Sequence, residues 1–273
     1  MTSWSAALLA LFVWWFSTGA ILWAVKTADR RGREACRRVT FYSLPLLVLG
    51  AAGFWYTLAD TSVQGACLAF LSALAIWGWI ELAFLTGVIT GPVTRPLPPN
   101  TAEWERFIRA WGTLAYHEIL LVAALLAMMG IGWGAENIFG VWTFAVLFFA
   151  RLSAKLNLYL GVPRINVDFL PEQLLHLSSY FRIKPLNWLF PISVSALSFS
   201  TACWLERIHA ADTQGQIIGF SLLTAITALA LLEHWVMVLP IPDEKLWRWM
   251  LPAASQPEPK TTQMNHQGGH HGL

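Results

Sequence analysis

The sequence predicts an all-α polytopic membrane protein of seven transmembrane helices, with its N-terminus outside and its C-terminus in the cytoplasm. Three observations carry this. Of 273 residues, 56% are hydrophobic and only 12% charged, well below the ~25% charged share of soluble domains. The apolar residues come in blocks of roughly 20, the length that crosses a ~30 Å hydrocarbon core at ~1.5 Å per residue. Finally, with the spans drawn, 17 of the 18 Lys and Arg fall on one side and only Arg207 on the other, which makes the basic side cytoplasmic. A missed span would scramble that alternation.

The expected spans are 4–25, 40–59, 65–89, 107–130, 138–160, 186–205 and 217–240. Span 1 opens MTSWSAALLALFVWW, with no basic stretch before it and no small-residue cleavage site after it, and reads as a retained anchor. Behind it, KTADRRGREACRR carries Arg30, Arg31, Arg37 and Arg38, a basic surface for anionic lipid or protein partners. Charge that sets span orientation is a commoner cause of such a surface than nucleic acid. Between spans 3 and 4, TGPVTRPLPPNTAEWERF has four prolines, then Thr101 ahead of Glu103 and Glu105, an N-terminal helix signal.

Residues 168–181 place Phe169, Leu170, Leu174, Leu177 and Phe181 at helical spacing. They predict a short amphipathic helix in the cytoplasmic interface, with Phe169, Leu174 and Phe181 as docking residues. The competing reading is a re-entrant cover over the bundle. Residues 1–250 thus form the membrane domain, and 251–273, polar and Pro/Gly-rich, a disordered cytoplasmic tail. Its three histidines read as solvated rather than metal-binding. The three cysteines lack metal spacing. Cys67 and Cys203 share a depth that permits a disulfide, although small interior residues are the plainer reading.

A charge inside a span costs about 2.5–3.5 kcal/mol on insertion scales, so each one asks for a reason. Here they are Glu81, His117 and Glu118, Arg151 and Lys155, Glu233 and His234. Counted from the cytoplasmic boundaries they all fall within about 8–16 Å. One explanation is a buried ion-pair network, in which Arg151 and Lys155, at i and i+4, neutralise two of three carboxylates. A second is a ligand site, with a histidine ligating a tetrapyrrole metal or with Glu and His holding a metal for an enzyme. The adjacent pairs His117–Glu118 and Glu233–His234 lie about 100° apart around a helix, which disfavours both members pointing inward. A proton or cation relay for transport is the third, opposed by the lack of broken spans and inverted repeats. A retinal protein fails because span 7 has no lysine.

The run RLSAKLNLYLGVP (151–163), followed by DFLPEQLLHLSSYF (168–181), resembles the most distinctive block of the PuhE-type photosynthetic complex assembly proteins. These are encoded beside the reaction-centre H subunit gene in purple phototrophic bacteria. YHEILL in span 4, the span count and the length extend the resemblance over residues 1–250. The wording around RINV and the His-containing tail depart from it. The resemblance implies an inner-membrane protein that helps build the reaction centre and core antenna by influencing bacteriochlorophyll supply. No catalytic residue is carried over.

The sequence is therefore read as an assembly factor rather than an enzyme. Its partners would be membrane lipids and reaction-centre, core-antenna or pigment-synthesis proteins. Its cofactor would be bacteriochlorophyll or a tetrapyrrole precursor, with His117 and His234 as axial ligands. Glu81, Glu118, Glu233, Arg151 and Lys155 would form the charged surround. An integral-membrane metal or haem enzyme is the first alternative, and a small-solute or proton-coupled transporter the second.

Overall fold

A computed structural model describes residues 1–165 and 170–240. Phe169 and the expected tail 251–273 lie outside the described residues, as do the first two residues of the expected interfacial helix. The described residues form α1 (Ser3–Asp29), α2 (Arg33–Tyr42), α3 (Leu44–Thr57), α4 (Val63–Leu85), α5 (Glu103–Gly112), α6 (Ala115–Ile131), α7 (Phe139–Leu160), α8 (Leu189–His209) and α9 (Gln214–Val236). A 3-10 segment spans Glu172–Tyr180. Among the described residues, six elements are long and apolar enough to cross a membrane, with α2 and α3 counted as one, and the α5–α6 pair makes a seventh if its bend is allowed.

Local chemistry starts the helices at one end. Thr2 and Ser5 form a reciprocal capping box on α1, Ser62 caps α4, and Thr213 with Gln216 repeats the box on α9. Each hydroxyl takes up a backbone N–H that a first turn leaves unpaired. These starts meet in space: Gln214 donates to the Met1 carbonyl at 3.0 Å, and Asn137 to the Asp60 carbonyl at 2.8 Å. At the other end, Asp29 accepts from the 3-10 segment, and the Thr40 and Thr86 hydroxyls meet at 2.8 Å. The helices therefore alternate in direction, and the arginine-rich segment after α1 marks this second, basic end.

Burial sorts the helices into layers. Two thirds of the α4 span is enclosed, and 56% of α9, against 17% of α1 and 11% of α8. The outer helices turn large apolar side chains outward, Trp4 at 83% and Phe199 at 71% exposure among them. Water would penalise so continuous an apolar belt, whereas lipid tails accept it.

The expected straight span 107–130 is instead two helices meeting at 64°. No proline causes this. The loop after α4 enters the break and takes its freed backbone groups: Val93 N–H donates to the Gly112 carbonyl at 3.1 Å, and His117 N–H to the Thr90 carbonyl at 3.0 Å. Backbone pairing at membrane depth has to be completed in some such way. Gly91 permits it, because a Cβ there would sit 2.2 Å from the Gly112 oxygen. α5 becomes an amphipathic helix at the basic end, and Glu118 and His117 fall in the first turn of α6. They are thus nearer the basic end than a straight span implied.

The interfacial helix is also corrected. Glu172–Tyr180 is 3-10 rather than α, and it packs inward. Leu174, Leu177 and Tyr180 are buried, the two leucines against Phe84, Leu85 and Leu114. Leu174, fully buried, offers nothing to a partner or to lipid. The segment is a cover on the bundle, held by Asp29, whose carboxylate accepts from Glu172 N–H at 3.0 Å and Gln173 at 3.2 Å.

Candidate functional site

The stretch 151–163 of α7 and its exit organises the basic end. Steps of four keep side chains on one helix face, and a step of two puts them nearly opposite. Arg151 and Lys155 therefore look toward α4 and α6. The Arg151 guanidinium donates to Glu81 at 3.2 Å, and the Lys155 ammonium to Glu118 at 2.6 Å. Ser153 and Asn157 look the other way. Ser153 meets His234 of α9 at 2.9 Å, and Asn157 donates to Ser193 of α8 at 3.0 Å. One helix thus ties four neighbours through polar side chains, each of which would be expensive alone in hydrocarbon. The stretch ends at Gly161, whose φ of +119° suits glycine, and Val162 then bridges to Ile183.

Beneath this network lies a cavity of about 740 Å³. Its charged wall is Arg151, Lys155 and Glu233, with Arg164 also lining it, and its apolar wall includes Trp14, Phe84 and Phe181. The Arg151 side chain is 42% accessible, deep in the bundle, because the cavity reaches it. Glu233 opens into the same space and accepts from the Trp14 indole N–H at 2.9 Å. Behind the wall, Glu81 and Glu118 neutralise the two cations, and the Lys155 ammonium also stands 5.5 Å from the Phe84 ring centre. Arg151 uses one nitrogen on Glu81, and its buried Nε has no hydrogen-bond partner. The wall can therefore present donors to an acidic or carbonyl-bearing molecule while apolar side chains hold the rest of it.

The two histidines do not occupy the ligating positions expected of them. His117 is fully buried, 3.7 Å from Glu81 and stacked 4.3 Å from Phe84, outside the cavity lining. Neither of its ring nitrogens has a hydrogen bond. His234 is equally enclosed and fully used: Nδ1–H donates to the Ala230 carbonyl at 2.8 Å, leaving Nε2 to accept from Ser153. Neither imidazole faces the cavity, so neither meets a metal held there. Among the described residues no group of three His, Cys, Asp and Glu is placed to hold a metal ion. His117 and Glu118, although adjacent, both point inward, because α4 and α7 flank α6 on neighbouring sides.

Of the docking candidates, Phe181 lines the cavity, whereas Arg30, Arg31, Arg37 and Arg38 are exposed at the basic end. Cys67 and Cys203 are free thiols, the latter exposed. Sequence reasoning missed Arg106, counted only as a cytoplasmic charge. It is 3% exposed and donates at 2.7 Å to the carbonyls of both Tyr159 and Tyr180, residues that line the cavity. Its guanidinium lies 3.9 Å from the Tyr159 ring centre, and it makes an ion pair with Glu103 at 3.7 Å. It also missed the Asn157–Asn187 pair at 3.0 Å, which joins α7 to the start of α8. An asparagine inside the apolar LNLYL was the available signal.

A curated protein of Rhodobacter capsulatus, named "Uncharacterized 30.4 kDa protein in puhA 5'region", is 56% identical over 254 residues, covering 93% of each chain. No solved structure matches. The family model described as "Protein of unknown function (DUF3623)" matches residues 1–258, and the chain belongs to that family.

Proposed function

We propose that this protein is an assembly factor of the photosynthetic reaction centre and core antenna, seated in the bacterial inner membrane with its basic end in the cytoplasm. The observation that carries the reading is the close relative whose name sets it in the puhA 5' region, beside the gene for the reaction-centre H subunit. The sequence block 151–181, similar to PuhE-type assembly proteins, supports it.

The cavity supplies the mechanism in this reading: it holds a bacteriochlorophyll precursor between synthesis and insertion. The fit lies at the edge of the molecule, not at a metal, because both histidines sit behind the wall. Arg151 and Lys155 bind an ionised carboxylate, which favours a precursor that keeps a free acid over a fully esterified pigment. Trp14, Phe84 and Phe181 cover the flat apolar ring and exclude water. Glu233, held by the Trp14 indole, supplies the acceptor on the same wall, for a hydroxyl or N–H of the ligand. Neutralisation of both cations by Glu81 and Glu118 keeps the empty cavity tolerable in the membrane.

The test is a deletion strain of a purple phototroph, complemented with wild-type protein or with Arg151→Gln/Lys155→Gln. Reaction-centre absorbance per cell should fall in the deletion and stay low with the double variant. The wild-type protein, purified from phototrophic cells, should carry a tetrapyrrole band that the variant lacks. Unchanged reaction-centre levels in the deletion strain would refute the assembly role. A colourless wild-type protein that restores assembly would refute the pigment-holding mechanism.

A further inference from the structure

A second, separate cavity of about 330 Å³ opens at the basic end, between α2, the exit of α4 and the 3-10 cover. Its lining is polar. Arg33 and Arg37, one turn apart on α2, stand over it; Thr86, Thr94, Gln173 and His176 complete the walls. The His176 Nε2 atom is buried and has no hydrogen-bond partner. Burial also pushes the His176 imidazole below its usual pKa, against the opposing pull of the Gln173 and Val93 backbone, so the ring is neutral. No carboxylate lines this cavity, although two stand behind its lining: Glu34 lies 4.0 Å from the exposed Arg37 guanidinium, and Asp29 accepts from the Gln173 amide. With the Gln173 amide given to Asp29 and the Thr86 hydroxyl to its own helix, the two guanidinium groups and the Thr94 hydroxyl are the donor set for a phosphate-type oxyanion.

The occupant follows from what α2 carries beyond the cations. Arg33, Arg37 and Phe41 repeat at i, i+4 and i+8, so they form one stripe. Phe41 and its neighbour Tyr42 are 66% and 75% exposed, at the start of a span whose outer surface is apolar. The stripe runs from a polar cavity to a lipid-facing aromatic pair, the profile of a molecule with a charged head and apolar chains. We propose that this cavity is a binding site for the phosphate headgroup of an anionic phospholipid, whose chains lie along Phe41 and Tyr42. The arginines that matter are then Arg33 and Arg37 and not their neighbours Arg30 and Arg31, which do not line the cavity.

The test uses the full chain, purified in a neutral detergent, with native mass spectrometry to count bound lipid as phosphatidylglycerol or phosphatidylcholine is titrated in. Phosphatidylglycerol should bind at one saturable site and phosphatidylcholine at least tenfold more weakly. A cation near an anionic lipid surface is worth roughly fivefold in affinity, so Arg33→Gln/Arg37→Gln should weaken binding by about 25-fold. Arg30→Gln/Arg31→Gln should leave it within about twofold. Thr94→Trp fills the exposed mouth without changing charge, and should also abolish saturable binding in a protein that remains monodisperse. Equal losses in the two arginine pairs would overturn the proposal in favour of diffuse charge attraction. Full binding by Thr94→Trp would overturn the location. Displacement of the lipid by millimolar inorganic phosphate would overturn the lipid assignment and mark the site as one for a free anion.

Discussion

Replacing Arg106 with methionine tests the architecture of the basic end most directly. The guanidinium is almost completely enclosed and ties three elements: α5 through itself, α7 through the Tyr159 carbonyl, and the 3-10 cover through the Tyr180 carbonyl. Hydrogen bonds to a charged donor contribute about 1.5–3 kcal/mol each, and the contact over the Tyr159 ring adds about 0.5–1 kcal/mol. Methionine fills much of the volume and no longer desolvates a charge, which returns part of this. A net cost of about 3 kcal/mol is expected, equivalent to roughly 6–12 °C in melting temperature at this chain size. The assay is thermal unfolding of the detergent-purified protein by circular dichroism, with hydrogen exchange of residues 172–180 read in parallel. Arg109→Met is the control, since its 2.7 Å pair with Glu105 is solvent-exposed and is worth about 0–1 kcal/mol. The reasoning fails if Arg106→Met melts within about 2 °C of wild type, or if the two variants lose equally. It fails as well if exchange in 172–180 is unchanged.

Other outcomes follow from the same geometry. Arg151→Gln leaves Glu81 enclosed without its ion-pair partner and should cost about 3–5 kcal/mol. Adding Glu81→Gln should recover most of that loss, and a double variant no more stable than the single would argue against the pair. Asn157→Leu removes interhelical hydrogen bonds to Ser193 and Asn187; at about 0.6 kcal/mol apiece in a membrane bundle, the melt should drop by a few degrees. Gly91→Ala drives a methyl into the Gly112 carbonyl, whereas Gly130→Ala enters open space, so only the first should lower folded yield. Asp212 is exposed in the turn between α8 and α9, and Asp212→Cys in a Cys67→Ser/Cys203→Ser background should be labelled by a membrane-impermeant maleimide from the periplasm in intact spheroplasts. Labelling only after lysis would reverse the assigned orientation.

Much of this was legible in the sequence where a single physical cost dominates. Burying apolar length and excluding charge from lipid fix spans to within a few residues, as for 138–160 against Phe139–Leu160. The same cost forces cations and carboxylates together, so the meeting of Arg151 and Lys155 with acidic partners could be anticipated. The choice of partner could not, since Glu81 and Glu118 differ only in where their helices stand. Both histidines were misread for a related reason. The His234 nitrogen is taken by a serine 81 residues away, and His117, its nitrogens unpartnered, is shut in against Phe84; no local pattern records either. Arg106 was hidden by success elsewhere: its charge satisfied the alternation rule, so nothing asked whether it was buried.

The bend between α5 and α6 has a bearing on how the protein is made. Residues 103–131 contain no proline, and Gly112 at the break makes room for Val93, so the 64° turn depends on a segment outside them. The carbonyl and amide freed at the turn are taken up by Val93 and Thr90, which belong to the connection from the preceding span. A straight helix that keeps its own hydrogen bonds is the stable form of this segment on its own. During synthesis it should therefore enter the bilayer unbent and fold over only after the α4 exit has docked. Maturation of the basic end becomes a step that follows insertion, and both cavities are completed at that step rather than at the translocon.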